Sequence, residues 1–282
     1  MSQAVEELRP GQRFDGAYAC ARKDRLTAKN GSVYLALELR DRTGSLPARV
    51  FREVDRIGLR FERGDAVQVQ GRVERFRGDL VAEIDDAARL EPGSFDPARF
   101  LPVAYRSGEE LQGFLEHLAG EVHHEGLRAL TTRLLLDGPY AEEFRRAPAT
   151  LAGHHAYLGG LIEHTVAVGT LVLETCQLHP RLNSDLLMAA ALVHDVGKVR
   201  EFTYGAEFGL TSEGRVLGHV QMSAELVSAA ADGLDPELKL GLLGCVLSHH
   251  GIEQGRRFPS PEAIALHRLN ALDASVKGAL EG

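Results

Sequence analysis

The segment ALVHDVGKVR, residues 191–200, places His194 and Asp195 side by side at the end of an apolar run, and Lys198 follows closely. The apolar run predicts a helix that ends at this pair. Two interpretations fit the pair. It is either a polar cap at a helix end or half of a metal site, because imidazole and carboxylate groups are common metal ligands. The rest of the sequence decides between these interpretations.

The segments around this one have the periodicity of helices. In residues 109–122, Leu111, Leu115 and Leu118 share one face. Comparable patterns occupy 126–137, 160–179, 183–195, 218–234, 235–251 and 261–280. The sequence therefore predicts an all-α domain over residues 109–282.

The front of the chain has the period of strands instead. Residues 33–41, VYLALELRD, alternate, and residues 42–51 add a glycine turn and a second strand, which predicts a hairpin. Residues 52–61 are expected to form a short helix or a connection, and residues 61–90 add strands around the turn FRGD. We predict a small β-barrel or sandwich over residues 1–92. Residues 93–108 carry two prolines, directly after Pro92, and are predicted to be a linker. The fold class is thus a multidomain α+β protein.

Composition agrees with two domains of ordinary size, since 282 residues with 44% hydrophobic residues can build real cores. Residues 11–92 have a net charge of +2 and the remainder −10, which indicates two units with different roles. No apolar run reaches the roughly 18–20 residues that span a membrane, and the N-terminal residues do not resemble a signal peptide. The three cysteines form no CxxC motif, which favours the cytoplasm and argues against a thiolate zinc site. The pattern indicates no membrane partner, allows a homo-oligomer and predicts no specific interface.

Histidines are concentrated in the helical part, where nine of the twelve lie between residues 154 and 267. A single histidine is more often structural than a ligand, but these occur where helices can converge: His164, His194, His219, His249 and His250. Imidazoles and carboxylates without thiolates suit Mn, Fe, Co, Ni or Zn. An aspartate such as Asp195 can bridge two ions about 3.5–4 Å apart, as in phosphoryl-transfer sites. Lys198 would then neutralise a phosphate oxygen, or it is only a cation favoured by the helix dipole.

Several longer segments resemble, in order and spacing, the HD superfamily of metal-dependent phosphohydrolases and, within it, the YhaM-type 3′-to-5′ exoribonucleases. The segments are APATLAGHHAYLGGLIEHT (147–165), ALVHDVGK (191–198), EFGLTSEGRVLGHV (207–220), LSHHG (247–251) and PSPEAIALHRLNALDA (259–274). RLTAKNGSVYLALELRDRTGSLPARVF and GDAVQVQGRVERFRGDL resemble the N-terminal OB-fold of that family. The resemblance covers nearly the whole chain.

The resemblance implies an OB-fold followed by an all-α HD domain. It implies that this domain removes nucleotides from the 3′ end of single-stranded RNA, or DNA, with two ions of the Mn²⁺ type. It also implies roles for individual residues. His164, His194 and a bridging, catalytic Asp195 would bind one metal ion; His219 with His249 or His250 would bind a second. Lys198 would contact the phosphate. His154, His155 and Glu163 would either contact the substrate or support the metal ligands from behind.

One position departs from the pattern of the family. In LHRLNALDA, Asn270 stands where the last metal-binding aspartate is expected. An amide oxygen is a poorer ligand for a hard cation than a carboxylate. Asp273 is turned about 60° away on the helix, so we favour a surface or buried ion-pair role for it over ligation. Either the site works with Asn270 as a ligand, or Asp273 substitutes, or catalysis is impaired.

The barrel carries basic and aromatic residues that suit a single strand, which OB-folds bind by charge and stacking. The predicted strand-binding residues are Arg22, Lys23, Lys29, Tyr34, Arg75 and Arg77. Phe51 and Phe76 are each expected in the core, because large aromatic side chains mostly fill cores. We therefore predict a metal-dependent 3′-to-5′ exonuclease. The alternatives are a phosphohydrolase of small nucleotides, which has little need of a strand-binding barrel, and a non-catalytic protein that binds single strands on an HD scaffold.

Overall fold

A computed structural model of the chain describes residues 3–281, so Met1, Ser2 and Gly282 of the predicted domains lie outside the described residues. The chain folds as two compact units. One comprises the residues up to Pro102 together with Tyr204–Phe208, and the other comprises Val103–Thr203 together with the residues from Gly209 onward.

The first unit is a closed five-stranded barrel with the order β1-β2-β3-β5-β4. Its elements are β1 (Arg13–Thr27), β2 (Val33–Asp41), β3 (Gly44–Val50), α1 (Val54–Gly58), β4 (Ala66–Phe76) and β5 (Asp79–Arg89). Neighbouring strands are antiparallel except for β3 and β5, which pair in parallel. This is the small β-barrel that the alternating pattern predicts.

Alternating burial explains how the barrel forms. On β2, Leu35, Leu37 and Leu39 are buried while the residues between them are only partly buried. The turn between β4 and β5 consists of Arg77 and Gly78, both with positive φ, at 55° and 100°. Two such residues form the tight turn whose twist matches a hairpin, as the FRGD segment predicts.

Two features of the barrel unit differ from the expectations. The long strand β1 has no counterpart in the predicted elements, because its second half is basic and its pairing with β2 shifts at a bulge between Cys20 and Arg22. The start of the predicted linker also packs into this unit. Phe100 and Leu101 are buried, and the rings of Phe95 and Phe100 lie 5.4 Å apart.

The second unit is helical, and it shares one small hairpin with the first unit, which contains Tyr204–Phe208 of it. Its helices are α2 (Gly108–Gly120), α3 (Glu125–Leu135), α4 (Ala141–Arg146), α5 (Gly160–Leu178), α6 (Ser184–Val193), α7 (Lys198–Glu201), α8 (Ser212–Ala230), α9 (Pro236–Ser248) and α10 (Pro261–Glu281). The hairpin, which the sequence pattern does not predict, consists of β6 (Phe202–Tyr204) and β7 (Phe208–Leu210). Every residue of Leu186–Val193 is buried, so α6 runs through the centre of the unit.

Two further properties bear on the expectations from composition. Within residues 3–281, each helix is too short or too polar to cross a membrane. Cys20, Cys176 and Cys245 are all free thiols.

Candidate metal centre

The histidines predicted as ligands converge from four helices. His164 lies in the first half of α5, and His194 is the residue at which α6 ends. His249 ends α9 in the same way, and His250 follows it. The ends of α6 and α9 point into the space between α5, α6, α8 and α9. Asp195, which follows His194, therefore lies beside the imidazoles.

Two glycines make this convergence sterically feasible. Gly218 has φ 71° and ψ 159°, a backbone conformation that favours glycine, and it interrupts α8 just before His219. At Gly197, a Cβ atom would lie 2.4 Å from the backbone nitrogen of Ser223 and 2.5 Å from the carbonyl oxygen of His219. The glycine of the HDVGK segment is therefore needed for the close approach of α7 to α8.

Asp195 lies at the centre, and its two carboxylate oxygens face different histidines. Its Oδ2 lies 3.4 Å from Nε2 of His194 and 3.6 Å from Nε2 of His164. Its Oδ1 lies 3.5 Å from Nε2 of His219 and also 3.5 Å from Nε2 of His249. The carboxylate thus lies between two pairs of imidazole nitrogens, which is the arrangement expected of a ligand that bridges two cations.

Two of these imidazoles are oriented by backbone carbonyl groups. Nδ1 of His194 lies 2.8 Å from the carbonyl oxygen of Ala191, and Nδ1 of His249 lies 2.6 Å from that of Val246. A carbonyl oxygen only accepts, so each Nδ1 donates its proton. The Nε2 lone pair of each neutral ring therefore points towards Asp195.

The other two are oriented by carboxylates. Nδ1 of His164 lies 2.6 Å from Oδ2 of Asp273, and Nδ1 of His219 lies 3.3 Å from Oε1 of Glu201. These carboxylates accept the Nδ1 protons, so Nε2 of each ring faces the centre, where Nε2 of His164 lies 3.3 Å from that of His194 and Nε2 of His219 lies 2.8 Å from that of His250. Hydrogen bonds of this kind on the far side of an imidazole are typical of metal-bound histidines.

Buried polar atoms without partners show that the residues fit a metal ion. Among the described residues, Asp195 Oδ1 and His249 Nε2 are buried and have no hydrogen-bond partner. Leaving such an atom unpaired costs about 1–3 kcal/mol, and a divalent cation would satisfy both. Within residues 3–281, ligand atoms of His164, His194 and Asp195 lie within 4.8 Å of one another, as do those of Asp195, His219, His249 and His250. The two groups share Asp195.

The charges of the site favour metal binding as well. Burial raises the pKa of Asp195, but the Lys198 ammonium 2.7 Å from Oδ2 and the neighbouring imidazoles outweigh it and hold that pKa well below its usual range. Burial lowers the pKa of His194 well below its usual value, and burial together with repulsion by His249 lowers that of His250 to about 4. At neutral pH the site therefore offers the carboxylate of Asp195 together with the neutral imidazoles of His194 and His250.

Lys198 does not lie at a helix C-terminus, where a helix dipole would favour a cation. It is the first residue of α7 rather than a cation at the end of a helix, and it is almost fully buried against Asp195. The dipole of α7 therefore does not explain it. Its contact with a substrate phosphate stays a prediction.

Asn270 and Asp273 differ in what they contact. The side-chain amide of Asn270 is buried and donates to the carbonyl oxygen of His249 at 3.4 Å. Asp273 accepts from Nδ1 of His164 and, at 2.9 Å, from Nε2 of His155. Asp273 thus supports a histidine of the centre from behind, which fits the buried ion-pair role expected of it. Asn270 as a metal ligand stays a prediction.

Two of the residues implied beside the metal ligands form a network behind His164. His155 is buried between Tyr157, at 2.9 Å, and Asp273, and Glu163 accepts from the Tyr157 hydroxyl and lies 3.6 Å from Lys277. The network fits a supporting role for both residues, and their contact with substrate stays a prediction. His154 is different: its Nδ1 is buried without a partner among the described residues, and its ring centre lies 6.2 Å from that of His164.

On the barrel, five residues that are exposed or partly buried make two aromatic contacts that we together call the aromatic platform: Tyr34, Arg49, Phe51, Phe76 and Arg77. The rings of Tyr34 and Phe51 lie 5.6 Å apart, and the guanidinium groups of Arg49 and Arg77 lie 4.3 Å and 5.3 Å from the centre of the Phe76 ring. Phe51 is 47% exposed and Phe76 44% exposed, so the expectation that both fill the core is wrong. Phe51 follows the last residue of β3 and Phe76 is the last residue of β4, and at strand ends the barrel leaves side chains uncovered.

The other basic residues predicted to bind a strand differ in their contacts. The ammonium of Lys23 donates to the carbonyl oxygens of Gly58, at 2.7 Å, and Phe61, and so ties β1 to the end of α1. Its contact with a strand stays a prediction. Arg75 is exposed, but it alternates with Phe76 along β4 and therefore faces away from the platform.

Arg22 and Lys29 lie at the surface of the barrel. Arg22 is paired with Asp24, and Lys29 is exposed in the turn between β1 and β2. Their contact with a strand stays a prediction.

Two further residues were not predicted from the sequence. Glu201 is buried and binds His219, and Arg49 lies on the platform. The signal for Arg49 was available, because it precedes Phe51 by two positions and so shares its face of β3. The signal for Glu201 was not, since it depends on how α7 packs against α8.

Comparison with known proteins agrees with this geometry. The chain matches the HD domain over residues 161–275 and an OB-fold nucleic acid binding domain over residues 20–88. It is 31% identical to a 3′-5′ exoribonuclease YhaM of Listeria welshimeri, over 89% of this chain and 81% of that protein. The proteins of that name from Oceanobacillus iheyensis and Bacillus velezensis are also 31% identical, with 94% and 98% of this chain covered and 85% and 89% of theirs.

Proposed function

The chain belongs to the YhaM family of 3′-5′ exoribonucleases, and we propose that it hydrolyses phosphodiester bonds at the 3′ end of single-stranded RNA with bound divalent metal ions. The observation that carries this proposal is the position of Asp195. Its two oxygens face two separate pairs of imidazole nitrogens whose lone pairs are aimed at it. Such a centre is suited to displacement at phosphorus.

We propose that the centre holds two ions, of which Mn²⁺ is the favoured metal and Co, Fe, Ni or Zn the alternatives. Nitrogen and oxygen donors without sulfur support this set. Bound ions would polarise the phosphate and lower the pKa of a coordinated water. The residues that would hold them are His164, His194, Asp195, His219 and His249, with His250 at the exposed edge.

Lys198 and His154 are proposed to act on the substrate beside the metal ligands. The Lys198 ammonium lies against Asp195 and supplies positive charge where a phosphate would bind. The unpartnered Nδ1 of His154, beside the ring of His164, is available to donate to a phosphate oxygen. Both groups would orient the scissile phosphate rather than hold the ions.

The barrel is proposed to hold the single strand. OB-folds bind oligonucleotides on the face of strands 2 and 3 and with the loops that follow strands 1 and 4. The aromatic platform lies on that face, since Tyr34 is on β2, Phe51 follows β3, and Arg77 forms the turn after β4. Base stacking on exposed aromatic rings tolerates any sequence, so we expect little base preference.

The first test is a cleavage assay on 5′-labelled single-stranded RNA. With Mn²⁺ we expect a ladder of products that shortens from the 3′ end, and with excess chelator we expect intact RNA, because the histidines alone cannot stabilise the developing charge on phosphate. Products are measured on a denaturing gel. Internal cleavage, or shortening that persists in chelator, would contradict the proposal.

The alternative of a catalytically impaired scaffold depends on Asn270, and we expect Asn270→Asp to lower turnover about tenfold. The aspartate removes the donor to the His249 carbonyl oxygen and places a carboxylate against it, and an unsatisfied buried group costs ~1–3 kcal/mol. Initial rates at saturating Mn²⁺ measure the change. A large gain in turnover would instead show that the native centre lacks a metal-binding carboxylate.

We also propose that the protein works in the cytoplasm. Three free cysteines, none in a disulfide, support a reducing compartment. Assembly into a homo-oligomer stays a prediction.

A further inference from the structure

The metal centre has an internal symmetry that the established family activity does not explain. Each oxygen of Asp195 faces two imidazoles, and in each pair one imidazole is held by a backbone carbonyl group and the other by a carboxylate. His164 is held by Asp273 and His219 by Glu201. The position of a backbone carbonyl group is fixed by its helix. A carboxylate is part of a side chain, so it can be replaced by mutation, and it adds negative charge beside the imidazole.

Asp273 reaches His164 from α10. Its Oδ2 accepts from Nδ1 of His164 at 2.6 Å and from Nε2 of His155 at 2.9 Å, and its side chain is 13% exposed. Two donors on one carboxylate oxygen leave Asp273 little rotational freedom. The ring of His164 is therefore fixed with Nε2 towards Oδ2 of Asp195.

Glu201 reaches His219 from the end of α7. Its Oε1 accepts from Nδ1 of His219 at 3.3 Å and from the backbone nitrogen of the same residue at 3.1 Å. The carboxylate thus binds the side chain and the backbone of His219 at the interruption of α8. A Cβ at Gly214 would lie 2.4 Å from the carbonyl oxygen of Glu201, so α7 and α8 pack without room for movement.

We propose that Asp273 and Glu201 are positioning residues that set the affinity of the two halves of the centre separately, Asp273 for the ion between His164 and His194 and Glu201 for the ion between His219 and His249. A carboxylate that accepts the Nδ1 proton fixes the tautomer and makes Nε2 a stronger donor. This inference rests on the proposed two-ion function. It adds that each ion has its own control residue, outside the set of ligands.

The experiment is a calorimetric titration of Mn²⁺ into the full, chelator-stripped protein. We expect two ions to bind the native chain. Asp273→Asn and Glu201→Gln should each weaken one ion by about 10–100-fold, the range for loss of such outer partners, and leave the other within about threefold. The matched control is Glu262→Gln, which removes a carboxylate as buried as that of Glu201 that bonds outside the centre, accepting from the backbone amide of Asn183 at 2.9 Å.

Double variants assign each residue to its half. In a His164→Ala background, Asp273→Asn should cause no further loss, while Glu201→Gln should still weaken the remaining ion. The reverse holds in a His219→Ala background. Both single variants weakening both ions equally, or neither differing from Glu262→Gln, would overturn the inference.

Two measurements separate these outcomes from other failures. A native chain that binds fewer than two ions would remove the two-ion proposal itself, and with it this inference, before any variant is made. Circular dichroism melting in chelator checks folding, and serine variants at Asp273 and Glu201 give the same titration if an amide variant does not fold. An activity assay is not needed for any of these results.

Discussion

Asp195→Ala is expected to abolish Mn²⁺ binding and to lower RNA cleavage by at least about 10³-fold. Without the carboxylate, four imidazole nitrogens face a space with no negative charge to hold cations, and the shared ligand of both proposed ions is lost. Metal ions supply several kcal/mol of stabilisation to a phosphoryl-transfer transition state, and each 1.36 kcal/mol is a factor of ten in rate. Calorimetry with Mn²⁺ and single-turnover cleavage of 5′-labelled RNA measure the two effects.

Asp195→Ala must be distinguished from loss of the fold. Removing Asp195 leaves the Lys198 ammonium buried without its partner at 2.7 Å, and an uncompensated buried charge costs about 3–5 kcal/mol. Asp195→Asn keeps the volume and serves as a companion variant, while Asp232→Ala, at an exposed position after α8, is the control. Strand binding by the barrel should remain, so a gel shift with RNA should be unchanged. Cleavage that survives in both Asp195 variants would show that the centre is not catalytic.

The sequence predicts those residues of the centre whose positions depend on local helix ends, and it does not predict those whose positions depend on helix packing. The positions of His194 and His249 follow from helix ends, which apolar runs and caps predict well. The contact between Asp273 and His164 cannot be predicted from helix ends. The spacing of Asp273 from Asn270 places it on another part of α10, and only the packing of α10 against α5 brings it to Nδ1 of His164.

The contacts of Glu201 and His155 were hidden for a similar reason. Glu201 ends a helix of four residues, too short to have a periodic pattern. His155 adopts a positive φ of 53°, which turns its side chain inward to Asp273 and away from the surface where its motif suggested a substrate contact. Local propensity carries no information about such a turn.

In the barrel, strands with a regular alternation of apolar and polar residues could be predicted from the sequence. The aromatic platform could be predicted only in part. The inward residues of β2 and β4 are identified by their period, because one face of each strand is buried. Whether an aromatic residue at a strand end is covered depends on the neighbouring strand. Phe51 and Phe76 are both uncovered, and Arg49 lies over the Phe76 ring.

The double variant Phe51→Ala/Phe76→Ala should weaken the binding of single-stranded RNA by about 30-fold or more, while the metal centre keeps its activity. Stacking of a base on an aromatic side chain is worth ~1–3 kcal/mol, so the loss of two rings costs at least about 2 kcal/mol. Both rings are nearly half exposed, so their removal should cost little stability. Fluorescence anisotropy with labelled RNA measures the affinity.

The kinetic consequence separates strand binding from catalysis. In the double variant we expect KM for RNA to rise with little change in kcat, because the platform binds the ground state and the transition state equally. Hydrolysis of bis(p-nitrophenyl) phosphate, which is too small to need the platform, should be unchanged. Leu59→Ala is the matched control, since Leu59 is an exposed apolar residue of the barrel outside the platform. If the double variant bound RNA as the native chain and Leu59→Ala do, the strand would not stack on these rings, and the platform would have to be sought among Arg22 and Lys29 in the β1–β2 region instead.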